Sequence, residues 1–104
     1  MTNVETKVTI SINEDGLTLE ALSDQIGVAL QQAGKELLMQ CCQAIEAQTL
    51  ALQAPGVQRR KRRGRHLLTR FGWIRLQRWQ TSDPDNGYSC PLDRVLGLKR
   101  RDRA

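Results

Sequence analysis

Aromatic residues are scarce in this chain. Phe71, Trp73, Trp79 and Tyr88 are the only four among 104 residues, and all fall between positions 71 and 88. Everything before them must pack without a large ring. The three cysteines form no C-x-x-C pair. Cys41 and Cys42 are adjacent, so on a helix their side chains diverge by about 100°, and Cys90 stands alone. The odd count and the missing pair argue against a zinc finger and favour a reducing compartment. No apolar run is long enough to cross a bilayer, and the opening MTNVETKVTISINEDG lacks the apolar core of a secretory signal. A bacterial cytoplasmic location is therefore expected. His66, the one histidine, sits beside a basic run and reads as a bystander rather than a ligand or a base.

Acidic residues are missing from one long stretch, with none between Glu46 and Asp83. This gap belongs to a wider division of charge. Residues 1–56 carry two lysines against seven acids, a net −5, while residues 57–104 carry fourteen Lys and Arg against four acids, a net +10. An imbalance of this kind points to one half that faces a polyanion and another half with a different job. Phosphate backbones are the usual partner of such a surface. The length allows one domain, or a long element with a small domain attached, and a chain this short buries only a modest core on its own.

Residues 6–13 (TKVTISIN) alternate, with Val8, Ile10 and Ile12 on one side, as in a half-buried strand ended by the turn Asn13-Glu14-Asp15-Gly16. A lone strand either pairs with a later hairpin or frays. Thr18 then reads as a helix N-cap, with Glu20 facing the positive end of the helix dipole. Apolar residues follow at 19, 22, 26, 30, 33, 37, 41, 44/45 and 52 until Pro55-Gly56, the spacing of one long amphipathic helix. This stripe either covers a C-terminal sheet or pairs with a second copy of itself. Half of it has no cover within so short a chain, so a homodimer through Leu19–Leu52 is the expectation. Gly27 and Gly34 would let a partner helix approach closely.

Residues 58–65 (QRRKRRGR) place Arg59, Arg60, Lys61, Arg62, Arg63 and Arg65 within eight positions. Like charges this dense repel and stay extended unless neutralised, so residues 57–65 read as a basic linker. It separates a unit at 1–56 from a small β unit at 66–104. Binding to DNA or RNA is favoured over a passive linker or a targeting signal, with contacts to phosphates that fix position without reading sequence.

His66–Phe71 and Trp73–Trp79 read as two strands joined at Gly72, where φ can turn positive. In the second strand Ile74 and Leu76 share a face with Arg78, while Trp73, Arg75, Gln77 and Trp79 share the other. At least one tryptophan is expected in a core. The other face, with Arg70 nearby, forms an aromatic and basic surface suited to nucleic acid. Thr81–Gly87 is a turn-rich loop in which Asp83 and Asp85 lack a third ligand, so no metal is expected. Tyr88-Ser89-Cys90 reads as a third strand, Pro91 opens a short helical turn, and Gly97 ends it. Lys99–Arg103 form a basic tail.

The succession Thr69-x-Phe71-Gly72, then Ile74, Arg75, Arg78 and Trp79, then Gly87-Tyr88, then Pro91-Leu92-Asp93-x-x-Leu96-Gly97-Leu98, resembles the N-terminal region of bacterial insertion-sequence transposases. These are the Kra-type and Lre-type elements of the DDE (RNase H-like) class. The resemblance covers residues 65–101, about a third of the chain. It implies a DNA-binding N-terminal fragment whose catalytic carboxylates lie in a domain further along, so this chain is expected to be a truncated form without catalysis of its own. Where some relatives carry a cysteine pair before the Pro-Leu-Asp motif, only Cys90 stands here, which removes support for zinc.

The expected fold is α+β: one long N-terminal helix, a small antiparallel β unit and a short C-terminal helical turn. The expected DNA contacts are Arg59, Arg60, Lys61, Arg62, Arg63, Arg65, Arg70, Trp73, Arg75, Arg78 and Trp79, with no cofactor. A rival reading is a small homodimeric regulatory module whose basic segment is merely solvated.

Overall fold

The computed structural model of the chain describes residues 3–85 and 87–98. The basic tail expected at 99–103 lies outside the described residues. The fold is α+β: helix α1 (Leu19–Ala51), a three-stranded antiparallel sheet of β1 (Gln58–Thr69), β2 (Gly72–Asp83) and β3 (Gly87–Ser89), and the short helix α2 (Pro91–Val95). Strand order is β1-β2-β3, so β1 is an edge. No helix among the described residues is long and apolar enough to cross a membrane.

Local chemistry sets each boundary. Thr18 caps α1 by accepting the Ala21 amide on its Oγ1 at 3.1 Å. The 33-residue helix is a rod of about 50 Å. At the hairpin tip the chain reverses through Arg70 and Phe71. Thr69 Oγ1 accepts the Phe71 amide at 3.2 Å and donates to the Gly72 carbonyl at 2.8 Å, and Gly72 alone takes the positive φ, 105°. Helix α2 has Pro91 in its first turn. It ends where the Leu98 amide donates to the Asp93 carbonyl at 2.8 Å and the Gly97 amide donates to Arg94 at 3.2 Å. With Gly97 at φ 68°, this is a Schellman stop that folds Leu98 back toward Leu92.

The core is small: Cys42 of α1, Leu76 of β2 and Leu92 of α2, flanked by Leu38, Ile45, Leu67, Leu96 and Leu98. Helix α1 is held to the hairpin at both ends of the contact. Near the tip, Phe71 lies on Gly34, and Gln31 Nε2 donates to the Phe71 carbonyl at 3.1 Å. Toward the base, Glu46 Oε2 accepts the Trp79 amide at 2.8 Å. The third strand pairs with β2 only over Thr81–Asp83. The Glu46 carboxylate thus takes an edge donor that a longer third strand would have satisfied.

Two expectations need correction. Residues 6–13 form no strand. They lie extended beside α1, where Asn13 and Gln25 exchange two hydrogen bonds (2.8 and 3.1 Å) and Val4–Lys7 lie near Gln40. The sheet offers them no good edge, because β3 and Glu46 occupy one side and β1 presents a row of cations on the other. Residues 58–65 are not a linker but the first two-thirds of β1. Alternation puts successive cations on opposite faces, and the ladder to β2 supplies the hydrogen bonds that offset their repulsion.

Candidate nucleic-acid interface

The sheet register decides which cations share a face. Arg65 lies opposite Leu76 and Leu67 opposite Ile74, and these pairs point toward the core; Arg63, opposite the buried Arg78, shares their side of β1 but is exposed. Arg62 opposite Trp79, Gly64 opposite Gln77, His66 opposite Arg75 and Leu68 opposite Trp73 form the other, open face. Arg59, Arg60, Lys61, Arg62 and Arg63 are all exposed. Among the described residues no carboxylate pairs with any of these five. Their charge is left for an external counter-ion.

A β-bulge at Arg60 interrupts the register, since Arg59 pairs with Thr81 and Lys61 with Gln80. Its consequence is specific. Arg59 and Arg62 are three apart and would face opposite ways in a regular strand. The extra residue lets both address one indole: their guanidinium carbons lie 5.9 and 5.2 Å from the centre of the Trp79 ring. Trp79 is half-buried beside α1, in a groove of about 360 Å³ that it lines with Arg59, Arg62, Gln43, Glu46, Ala47 and Leu50. It is the tryptophan expected in a packed position. Trp73, 62 % exposed, is not.

Two expected contact residues turn inward instead. Arg78 is 9 % exposed. Its Nε and Nη2 donate to the two oxygens of Asp93 at 2.7 and 3.1 Å, and its Nη1 donates to the Arg63 carbonyl at 2.9 Å. Arg65 Nη1 stands 3.7 Å from Asp93 Oδ2. Burial opposes the Arg78 charge, yet the Asp93 hydrogen bond and charge outweigh it and raise the Arg78 pKa above its ordinary value. These two arginines tie α2 to the sheet. Placement of Arg78 in phase with Ile74 and Leu76 was the signal for this: a cation on a core face needs a carboxylate, and the Pro-Leu-Asp turn supplies one. Asp93 and Glu46 are the polar residues that sequence reasoning missed.

The remaining candidates gather on the open face and at the tip. Arg70 is exposed in the turn, and Arg75 is exposed beside Trp73. A Cβ at Gly64 would come within 2.5 Å of Arg75 Nε. The Arg75 side chain therefore crosses β1 where no side chain stands in its way. Leu68 is 67 % exposed next to Trp73. Between Trp73 and Trp79 no acidic residue lies on this face, and Asp83 shares it at the far end of β2. Burial, the largest cause, pushes the Cys42 and Cys90 thiols above the ordinary cysteine value, which leaves them less of the reactive thiolate. The described residues bring no three His, Cys, Asp or Glu together as a metal site.

Compared with models of known families, with curated proteins and with solved structures, the chain finds no match in any of the three.

Proposed function

We propose that this chain binds DNA through the phosphate backbone, as the N-terminal region of a DDE-type transposase whose cleavage chemistry resides elsewhere. The observation that carries the DNA-binding part is the row Arg59–Arg63, exposed on an edge strand without one carboxylate partner among the described residues. A row of fixed cations costs folding energy through self-repulsion, and a polyphosphate strand relieves it by releasing condensed counter-ions. Resemblance over residues 65–101 supplies the word transposase; charge placement supplies the grip.

The test is salt dependence on a mixed-sequence duplex. Five phosphate contacts predict that log K falls against log salt with a slope of about −4.5. Replacing Arg59, Arg60, Arg62 and Arg63 by Ser should make that slope shallower by about 3 to 4 and weaken every duplex alike. The rival regulatory module, with a merely solvated basic segment, predicts no appreciable binding at low salt, and that result would remove the DNA reading.

Self-association belongs to the same reading, in a narrower form than the full stripe from Leu19 to Leu52. The second half of α1 is used inside the molecule, with Ala33 and Cys42 buried and Leu38 and Ile45 packed on the core. The first half leaves Leu19, Ile26, Val28 and Leu30 exposed, and nothing stands within 4 Å of where a Gly27 Cβ would be. That half is the surface through which a second copy docks.

A further inference from the structure

We infer that the β1–β2 ribbon enters the major groove of duplex DNA with its open face, so that Trp73, Leu68 and Arg75 meet base edges while Arg59–Arg63 hold the flanking phosphates. This rests on the DNA-binding reading above and deepens it, from a grip on the backbone to a mode of docking.

Shape comes first. Two strands about 4.8 Å apart with their side chains make a ribbon that a major groove about 12 Å wide admits and a minor groove about 6 Å wide does not. Of the helices, α2 packs with the core-facing side of β2 through Leu92 and Asp93. At its base the open face is covered by both helices, α1 beside Trp79 and both α1 and α2 beside Thr81, which is 2 % exposed. The tip half of the open face is bare. Trp73 to Trp79 is six residue steps, about 20 Å at strand rise, the length of about six base-pair steps.

Chemistry agrees with shape. Toward the tip the open face carries His66 and Arg75 and no acid, so nothing there repels a polyanion; the acids Glu46 and Asp83 lie at the base, beside Trp79 and at the end of β2. Leu68 and Trp73 sit directly opposite one another at 67 and 62 % exposure. In water that pair is a costly apolar patch; against thymine methyl groups it is matched. Arg75 carries a fork of donors suited to guanine O6 and N7, and the missing side chain at Gly64 leaves its guanidinium room.

A single-stranded ligand fits less well. Platforms for single strands need successive free rings on which bases stack. Here Trp79 is already covered by Arg59 and Arg62, which leaves Trp73 as the one exposed indole on the face, with only the small His66 ring beside it.

Dimethyl sulfate separates the grooves, because it methylates guanine N7 in the major groove and adenine N3 in the minor groove. On a mixed-sequence duplex saturated with the full chain, guanine N7 methylation should fall about threefold with adenine N3 little changed. The double variant Trp73→Ala/Arg75→Ala, altered only at exposed positions, should abolish that protection and weaken binding about tenfold, while the slope set by Arg59–Arg63 persists. Protection of adenine N3 instead would overturn the inference. So would tighter binding to the single strand than to the duplex. If the chain binds with the predicted salt slope but protects neither position, groove entry fails and the phosphate grip stands. If it binds no duplex at low salt, both fail together.

Discussion

Asp93 is one carboxylate that holds two guanidinium groups, Arg78 by two hydrogen bonds and Arg65 at 3.7 Å. With Arg78 only 9 % exposed, truncating Asp93 would strand a cation away from water. Removing one partner of such a pair is far more costly than removing both. Asp93→Ala should therefore lower stability by about 2–4 kcal/mol in urea unfolding, and Arg78→Met/Asp93→Leu should recover most of the loss. An Asp93→Ala protein as stable as the parent would show that the pair holds nothing. The same residue marks a limit of reading from sequence. In the Pro-Leu-Asp turn it looks like a local cap, and its distant partner 15 residues earlier is visible only once Arg78 is seen to share a phase with Ile74 and Leu76.

Among the elements, the α1 helix was the most legible. Its three-four spacing, the Thr18 cap and the Pro55-Gly56 stop all survive in Leu19–Ala51. The second strand was legible too, since Ile74, Leu76 and Arg78 are buried on one face while Trp73 and Arg75 are exposed on the other. The beginning of β1 was hidden because six cations in eight positions leave no period of two to detect, and the partners that make them a strand, from Ser82 back to Leu76, lie further along the chain. The N-terminal alternation misled for the opposite reason: its pattern suits a strand, but no sheet edge is open to it. Contact between α1 and the hairpin tip yields a direct test. A Cβ at Gly34 would lie 2.3–2.6 Å from the Phe71 ring, including the ring carbon nearest its backbone, so the whole ring must move. Gly34→Ala gains about 1 kcal/mol of helix propensity but overpacks a contact that costs about 1–3 kcal/mol. The net expectation is a loss of about 1 kcal/mol in urea unfolding, and a gain in stability would show that the tip is not held by this contact.

At the scale of the molecule, the chain is too open to be a finished globule. Its radius of gyration is 18.1 Å and its longest extent 61 Å, against about 13 Å expected for the radius of a compact chain of this length. It exposes 8306 Å², where a compact monomer of its mass exposes about 5,900 Å². The difference exceeds the roughly 1,000 Å² that a specific interface needs, and the exposed leucines, isoleucine and valine of α1 from Leu19 to Leu30 lie in it. Sedimentation velocity should therefore find a dimer. Ile26→Glu/Leu30→Glu, four apart on one face and both exposed, should give a folded monomer whose salt slope on DNA is unchanged per chain. A parent chain that sediments as a monomer at every concentration would exclude this mode of association.

The uncovered margin of β1 has one more implication. Its outward main-chain amides and carbonyls are free to accept another strand, which is how sheet proteins aggregate. Parallel, in-register pairing with an identical margin would set Arg59–Arg63 against the same five cations, so the bare protein is guarded against that way of zipping to itself. On the proposed DNA-binding reading, polyphosphate would remove that guard by screening the row. Molecules crowded onto one duplex would then lose the repulsion between their margins, and the bulge at Arg60 would be left to check filament growth.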